Sequence, residues 1–170
     1  MEIIYTILDF IAKGGNLLWF IAGVLFLMWM FIVERIWFIY GEFPKQARMK
    51  IAEWDAREDT MSWKAHRIRD YWISDAKLAL NQNLLFIKTL IAVCPLLGLA
   101  GTVTGMIDVF DSMSGQGSGS ARQMAAGIFK ATIPTMAGMV AALSGLFVSN
   151  RLEQAAFVKS HQFADSLPHH

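Results

Sequence analysis

The chain falls into long apolar runs separated by polar stretches, and the spacing of apolar positions predicts helices. Near the start, apolar side chains recur at Ile3, Ile4, Ile7, Leu8 and Ile11. That is the stripe of an amphipathic helix, too short to cross a bilayer, and Gly14-Gly15-Asn16 ends it. Such a helix either packs on its own bundle or lies in a membrane interface. From Leu17 to Val33 there are seventeen residues without a charge, and the apolar run resumes as Ile36-Trp37-Phe38-Ile39-Tyr40. Crossing hydrocarbon takes about 20 mainly apolar residues. Residues 17–40 therefore read as a first transmembrane helix, with Trp19 at one interface and Trp37 and Tyr40 at the other.

Residues 41–83 are polar, rich in both charge signs and in helix formers after Pro44, and read as a helical loop. Trp54, Trp63, Tyr71 and Trp72 give that loop something to pack. A second span covers 84–111, with Lys88 near its start, Pro95 inside it, and glycines at 98, 101 and 105. Gly101 and Gly105 form a GxxxG, which lets helix backbones approach closely. Residues 112–123 read as a flexible Gly/Ser loop, 124–149 as a third span interrupted by Lys130 and Pro134, and 150–170 as a short helical tail. The expected architecture is all-α and integral to the membrane, with three transmembrane helices and long cytoplasmic helical extensions.

Composition and charge support this picture. Hydrophobic residues make up 55% of the 170 and charged residues only 17%, too little charge for a soluble domain of this size. Ten of the fifteen Lys/Arg and eight of the fourteen acids lie between Glu34 and Lys88. This segregation suits one polar loop between spans and not the basic face of a nucleic-acid binder. That loop and the tail hold twelve Lys/Arg, whereas the N-terminus and the Gly/Ser loop hold two, Lys13 and Arg122. By the positive-inside rule the N-terminus, with the 1–16 helix, is periplasmic and the C-terminus cytoplasmic. The opening Met1-Glu2-Ile3-Ile4 lacks a basic stretch, so a cleaved signal peptide is not expected. The single Cys94, in an apolar run, excludes an intrachain disulfide and reads as a buried, inert thiol.

No HExxH, CxxC, GxSxG or P-loop is present, and His66 and His161 have no paired ligands at metal spacing. No enzyme, metal or cofactor is expected. The informative residues are the polar ones inside the spans, because a charge at the centre of a membrane helix costs about 2.5–3.5 kcal/mol on translocon scales. Counted from Ser118, Asp108 is ten residues back and Lys130 twelve residues on. In antiparallel helices the two lie at similar depth, which predicts a buried ion pair within one subunit or across neighbours. The alternatives are that Lys130 snorkels and Asp108 reaches water, or that Lys130 attracts an acidic group of a partner. A small-residue stripe runs along the third span at Ala131, Thr135, Gly138 and Ala142, with Gly98, Thr102 and Gly105 as its counterpart on the second. Either these are ordinary packing stripes or, with a threonine on each, they line a pore.

The second span resembles the MotA/TolQ/ExbB proton-channel domain through Cys94-Pro95-Leu96-Leu97-Gly98-Leu99-Ala100-Gly101-Thr102-Val103-Thr104-Gly105. The third is similar through Gly127-Ile128, Thr132, Thr135, Gly138, Ala141-Ala142 and Asn150. The likeness is nearer to ExbB than to the four-span MotA. It implies a homopentamer in the bacterial inner membrane around an ExbD-like single-span protein, energising a TonB-like protein for outer-membrane transport. It also implies that Thr102 and Thr135 are pore threonines. Many ExbB proteins carry a glutamate where this chain has Lys130, so the resemblance implies that an aspartate on the partner carries the proton. A TolQ-like role in envelope integrity, a self-sufficient ion channel and a passive membrane scaffold are the competing functions.

Overall fold

The computed structural model describes residues 16–57, 62–116 and 121–167, and the amphipathic helix expected over the first residues lies outside them. Among the described residues the chain is helical: α1 (Asn16–Trp37), a π-helical turn (Phe38–Glu42), α2 (Phe43–Asp55), α3 (Trp63–Asn81), α4 (Leu84–Gln116) and α5 (Ala121–Asp165). Among the described residues three stretches, Leu17–Asp55, Trp63–Ser114 and Met124–Asp165, are long and apolar enough to cross a membrane.

Local chemistry explains the breaks. Pro44 has no N–H and its ring crowds the carbonyl four residues before it. The helix widens just ahead of it, and the Phe43 N–H bonds to the Phe38 carbonyl, five residues back. Ser62 caps α3 by accepting the Ala65 N–H at 3.3 Å. Asn83 turns the chain between α3 and α4 with φ 63°, a conformation asparagine tolerates better than most residues. Two sequence expectations change. α4 continues through Ser112 and Ser114, read above as loop, and their hydroxyls are satisfied within the helix by donating to the carbonyls of Val109 (2.8 Å) and Asp111 (2.9 Å). The tail is not a separate helix: α5 runs unbroken from Ala121 to Asp165.

The chain forms two units, Met1–Trp29 with Lys88–Leu146, and Met30–Ile87 with Phe147–His170. In the first unit, α4 and α5 pack through small residues, while large apolar side chains such as Trp19, Phe26, Leu99 and Phe129 point outward. Outward apolar surface is what a lipid environment requires and water penalises.

The second unit is held as a water-exposed helix pack would be. Trp54 is buried, with Trp72 edge-on at 6.1 Å, and Phe43 meets Phe163 at 6.2 Å. Trp63 and Tyr71, expected to help pack the loop, are instead exposed, and Arg67 lies over the Trp63 ring at 5.5 Å. Lys50 bridges α2 to Asp75 of α3 at 2.7 Å. Arg35 is buried, donates to the Ala79 carbonyl at 3.1 Å, and grips the Glu34 carboxylate at 2.8 and 2.6 Å. Arg69 does the same at the end of α5, donating to the carbonyls of Leu167 (2.7 Å) and Ala164 (3.2 Å). Arg35 thus reaches a carbonyl of the last turn of α3, and Arg69 ties down the last turn of α5 together with Leu167, just past its end.

Two outcomes follow. Removing the guanidinium in Arg69→Met strips two bonds from the end of α5. Limited proteolysis should then cut near Phe163–Leu167 several-fold faster than in wild type, and an unchanged rate would show that the clamp is dispensable. On the apolar side, a Cβ at Gly138 would lie 2.5 Å from the Cys94 carbonyl oxygen, whereas one at Gly23 meets nothing within 4 Å. Gly138→Ala should lose about 1–3 kcal/mol as an overpacked site. Gly23→Ala should be neutral or gain about 0.4–1 kcal/mol. Thermal unfolding in detergent reads the contrast.

Candidate functional site

The small residues flagged in the second and third spans meet along the seam between α4 and α5. At Gly98 a side chain would sit 2.9 Å from both the Pro134 carbonyl and the Thr135 Cα. At Gly105 it would sit 2.6 Å from the Ala131 Cβ, and at Gly127 it would collide with Val109. With Gly138 against the Cys94 carbonyl, these contacts bring the backbones of two antiparallel helices together over several turns. Each depends on the absence of a side chain, which explains the small-residue stripes.

Gly98, Gly105, Ala131 and Gly138 are therefore used for packing within one chain, the plainer of the two readings of those stripes. Sequence reasoning missed two contributors. Cys94, read as an inert thiol, is buried and supplies through its carbonyl the surface on which Gly138 rests. Pro134, read as an interruption, presses its ring on Gly101 and its carbonyl on Gly98. The available signal was a proline facing glycines three residues apart.

The two threonines differ in their partners. Thr135 donates its hydroxyl across the seam to the Gly98 carbonyl at 2.8 Å. Thr102 donates within its own helix, to Leu99 at 2.7 Å. Both are partly exposed, as is Ala142. Each threonine follows its seam residue, Gly98 or Ala131, by four positions, a rotation of about 40° around the helix. In antiparallel helices equal rotations lead to the same flank, so Thr102 and Thr135 border one side of the seam. That flank continues through Leu99, Val103, Ile128 and Met139, all exposed.

Asp108 and Lys130 rotate the other way: Asp108 follows Gly105 by three positions and Lys130 precedes Ala131 by one, about 60–100° in the opposite sense. They share the flank on which Leu17 of α1 approaches Gly101. The expected ion pair does not form within the chain. Both side chains are exposed, and among the described residues no salt bridge joins them. The reason is that the seam closes through Gly105 and Ala131, leaving both longer side chains outside it. Among the described residues no group of three or more His, Cys, Asp or Glu could hold a metal ion.

A model of the MotA/TolQ/ExbB proton channel family matches residues 42–165. A putative biopolymer transport protein, ExbB-like 1 of Synechocystis sp., is 49% identical over 65 residues, covering 36% of this chain and 26% of that protein. The Tol-Pal system protein TolQ of Haemophilus influenzae is 35% identical over 74 residues, covering 44% of this chain and 32% of that one. The matched part is thus about a third or less of either relative's length. No solved structure matches the chain. With the family's model covering well over half of its length, including both helices of the seam, the chain belongs to the MotA/TolQ/ExbB proton channel family.

Proposed function

We propose that this protein is a motor subunit driven by the proton-motive force. In this reading it works in the bacterial inner membrane as a homopentamer, N-terminus outside and C-terminus inside. Its lumen is lined by α4 and α5 and holds an ExbD-like single-span partner. The assembly energises a TonB-like protein for nutrient uptake across the outer membrane. One observation carries the reading. Among the described residues, the flank of the α4–α5 seam that bears Thr102 and Thr135 is left open, while the opposite flank receives α1. A ring of subunits turning the open flank inward surrounds a partner helix with two hydroxyls set among apolar side chains.

The membrane potential supplies about 2.3 kcal/mol per charge per 100 mV. Protonation of a carboxylate on the partner would change the cost of moving that group along the wall, and so bias its position. Lys130, on the far flank from the threonines, then belongs to the contact between neighbouring subunits, where Asp108 of the next copy is its counter-charge. Pore-lining roles go to Thr102, Thr135 and Ala142. Gly98, Gly105, Ala131 and Gly138 set the spacing behind them. A TolQ-like role is the second reading, because the TolQ relative matches a similar share of the chain. Deletion phenotypes separate the two: loss of energised uptake supports the first, and envelope leakage with intact uptake the second.

Native mass spectrometry in detergent should give a five-subunit mass, and a monomer or dimer would reject the ring. Thr102→Val removes only a bond within its helix, so pentamers and stability should be unchanged while energised uptake falls. Thr135→Val also removes the cross-seam bond and should cost a further ~0.5–1.5 kcal/mol of stability. Thr135→Ser should restore both. Full uptake in the double valine variant would eliminate the hydroxyls from the mechanism.

The charged pair gives a separate outcome. Breaking a buried pair on one side typically costs about 3–5 kcal/mol, and replacing both partners can be near neutral. Pentamer stability should therefore fall in Lys130→Met and in Asp108→Leu and recover in the double variant. Additive losses would mean that the two groups do not meet between subunits.

A further inference from the structure

The end of the first membrane-crossing segment carries a groove that the proposed motor does not use. It is a shallow cavity of about 300 Å³, lined by Glu34, Trp37, Phe38, Glu42 and Lys45. The π-helical turn runs through it, and such turns are frequent at functional sites. Gly41 shapes its floor: a Cβ there would lie 3.0 Å from Cδ1 and 3.3 Å from Nε1 of Trp37, so the indole lies along the glycine backbone. Trp37 is 77% exposed, and Tyr40, three residues on, is 63% exposed. Two exposed aromatic residues where an apolar helix turns polar mark the level of lipid headgroups.

The charges in the groove are of two kinds. The carboxylate of Glu34 is already held by Arg35 at 2.8 and 2.6 Å, which offsets its charge. That leaves the exposed Glu42 as the acceptor and Lys45 as the cation. Helix side chains lean toward the helix N-terminus, so both reach back toward the aromatic end of the groove. An indole N–H and an ammonium suit a phosphate or ester oxygen, and a carboxylate beside aromatic rings suits an ammonium.

We propose that this groove binds the headgroup of a zwitterionic phospholipid bearing a primary amine. Lys45 and the Trp37 N–H take the phosphate, and Glu42 with Phe38 takes the amine. A headgroup with two oppositely charged ends matches a groove whose described lining offers the Lys45 ammonium and the Glu42 carboxylate. An anionic headgroup would leave Glu42 opposed. A trimethylated amine offers no N–H to the carboxylate. The bound lipid would anchor the segment where the π turn leads from membrane helix into α2. The proposal is independent of what the motor energises and requires only that α1 crosses the membrane.

The test is native mass spectrometry of the detergent-purified protein titrated separately with dioleoyl phosphatidylethanolamine, phosphatidylglycerol and phosphatidylcholine. Wild type should retain the ethanolamine lipid about tenfold better than either other lipid, a difference of one decade in affinity. Glu42→Gln should erase that preference, and Lys45→Gln should weaken retention of all three. Arg67→Gln, outside the groove, should match wild type. Glu42 and Lys45 are exposed, so the variants should keep the wild-type unfolding midpoint. Equal retention of the three lipids by wild type, or unchanged selectivity in Glu42→Gln, would overturn the proposal. So would variants that alter the subunit count while lipid retention stays the same, since the groove would then be covered by a second copy of the chain.

Discussion

The close approach of α4 and α5 is the constraint on which the membrane unit depends. In hydrocarbon there is no hydrophobic drive to bring two helices together, so association rests on packing and on hydrogen bonds between them. Here both come from missing side chains. Gly98 and Gly138 let carbonyls of the opposite helix, from Pro134 and Cys94, come within contact distance. The same proximity allows the Thr135 hydroxyl to reach the Gly98 carbonyl at 2.8 Å. Side chains at these glycines would push the backbones apart and lengthen that bond beyond use.

Once the seam is set, the positions of the remaining polar groups follow from helix geometry. Four residues beyond a seam position is a small rotation to one side, and one residue before it is a large rotation to the other. Thr102 and Thr135 therefore share one flank, and Asp108 and Lys130 share the opposite one. This separation divides the proposed work of the subunit, with hydroxyls toward the moving partner and charges toward a neighbouring copy. A lysine in the lumen would meet the partner's proton-carrying group directly. On the far flank of the proposed ring it can pair with a neighbouring copy without entering the lumen.

The second unit relies on different chemistry because its helices carry most of the charge. Arg35 directs a guanidinium at a carbonyl of the last turn of α3, and Arg69 at carbonyls in and just past the last turn of α5, which a planar fork with five donors does well. Trp54 fills the space between α2 and α3, and the Lys50–Asp75 bridge is a partly exposed pair of modest worth. The π turn ahead of Pro44 belongs to this economy of local satisfaction: one widened turn accommodates the proline ring without ending the helix.

Much of this was determined by the sequence alone. Uncharged runs long enough for hydrocarbon dictate three spanning helices, since no other single-chain element satisfies its backbone there. The glycine, proline and threonine spacing around Cys94–Gly105 and Gly127–Ala142 was legible as a site, and as a family resemblance, because one-dimensional spacing fixes which residues share a helix face. What could not be read was how far each residue lies from the line of contact. Matched depth made Asp108 and Lys130 look like a pair, but depth is only one coordinate. The angle about the helix, set by Gly105 meeting Ala131, keeps both outside the seam. The same limit applies to Trp63 and Tyr71, whose bulk suggested burial. Only the packing of α2 against α3 decided that Trp54 would be enclosed and those two left exposed, because a helix can bury one face of its aromatic residues and must leave the other to its surroundings.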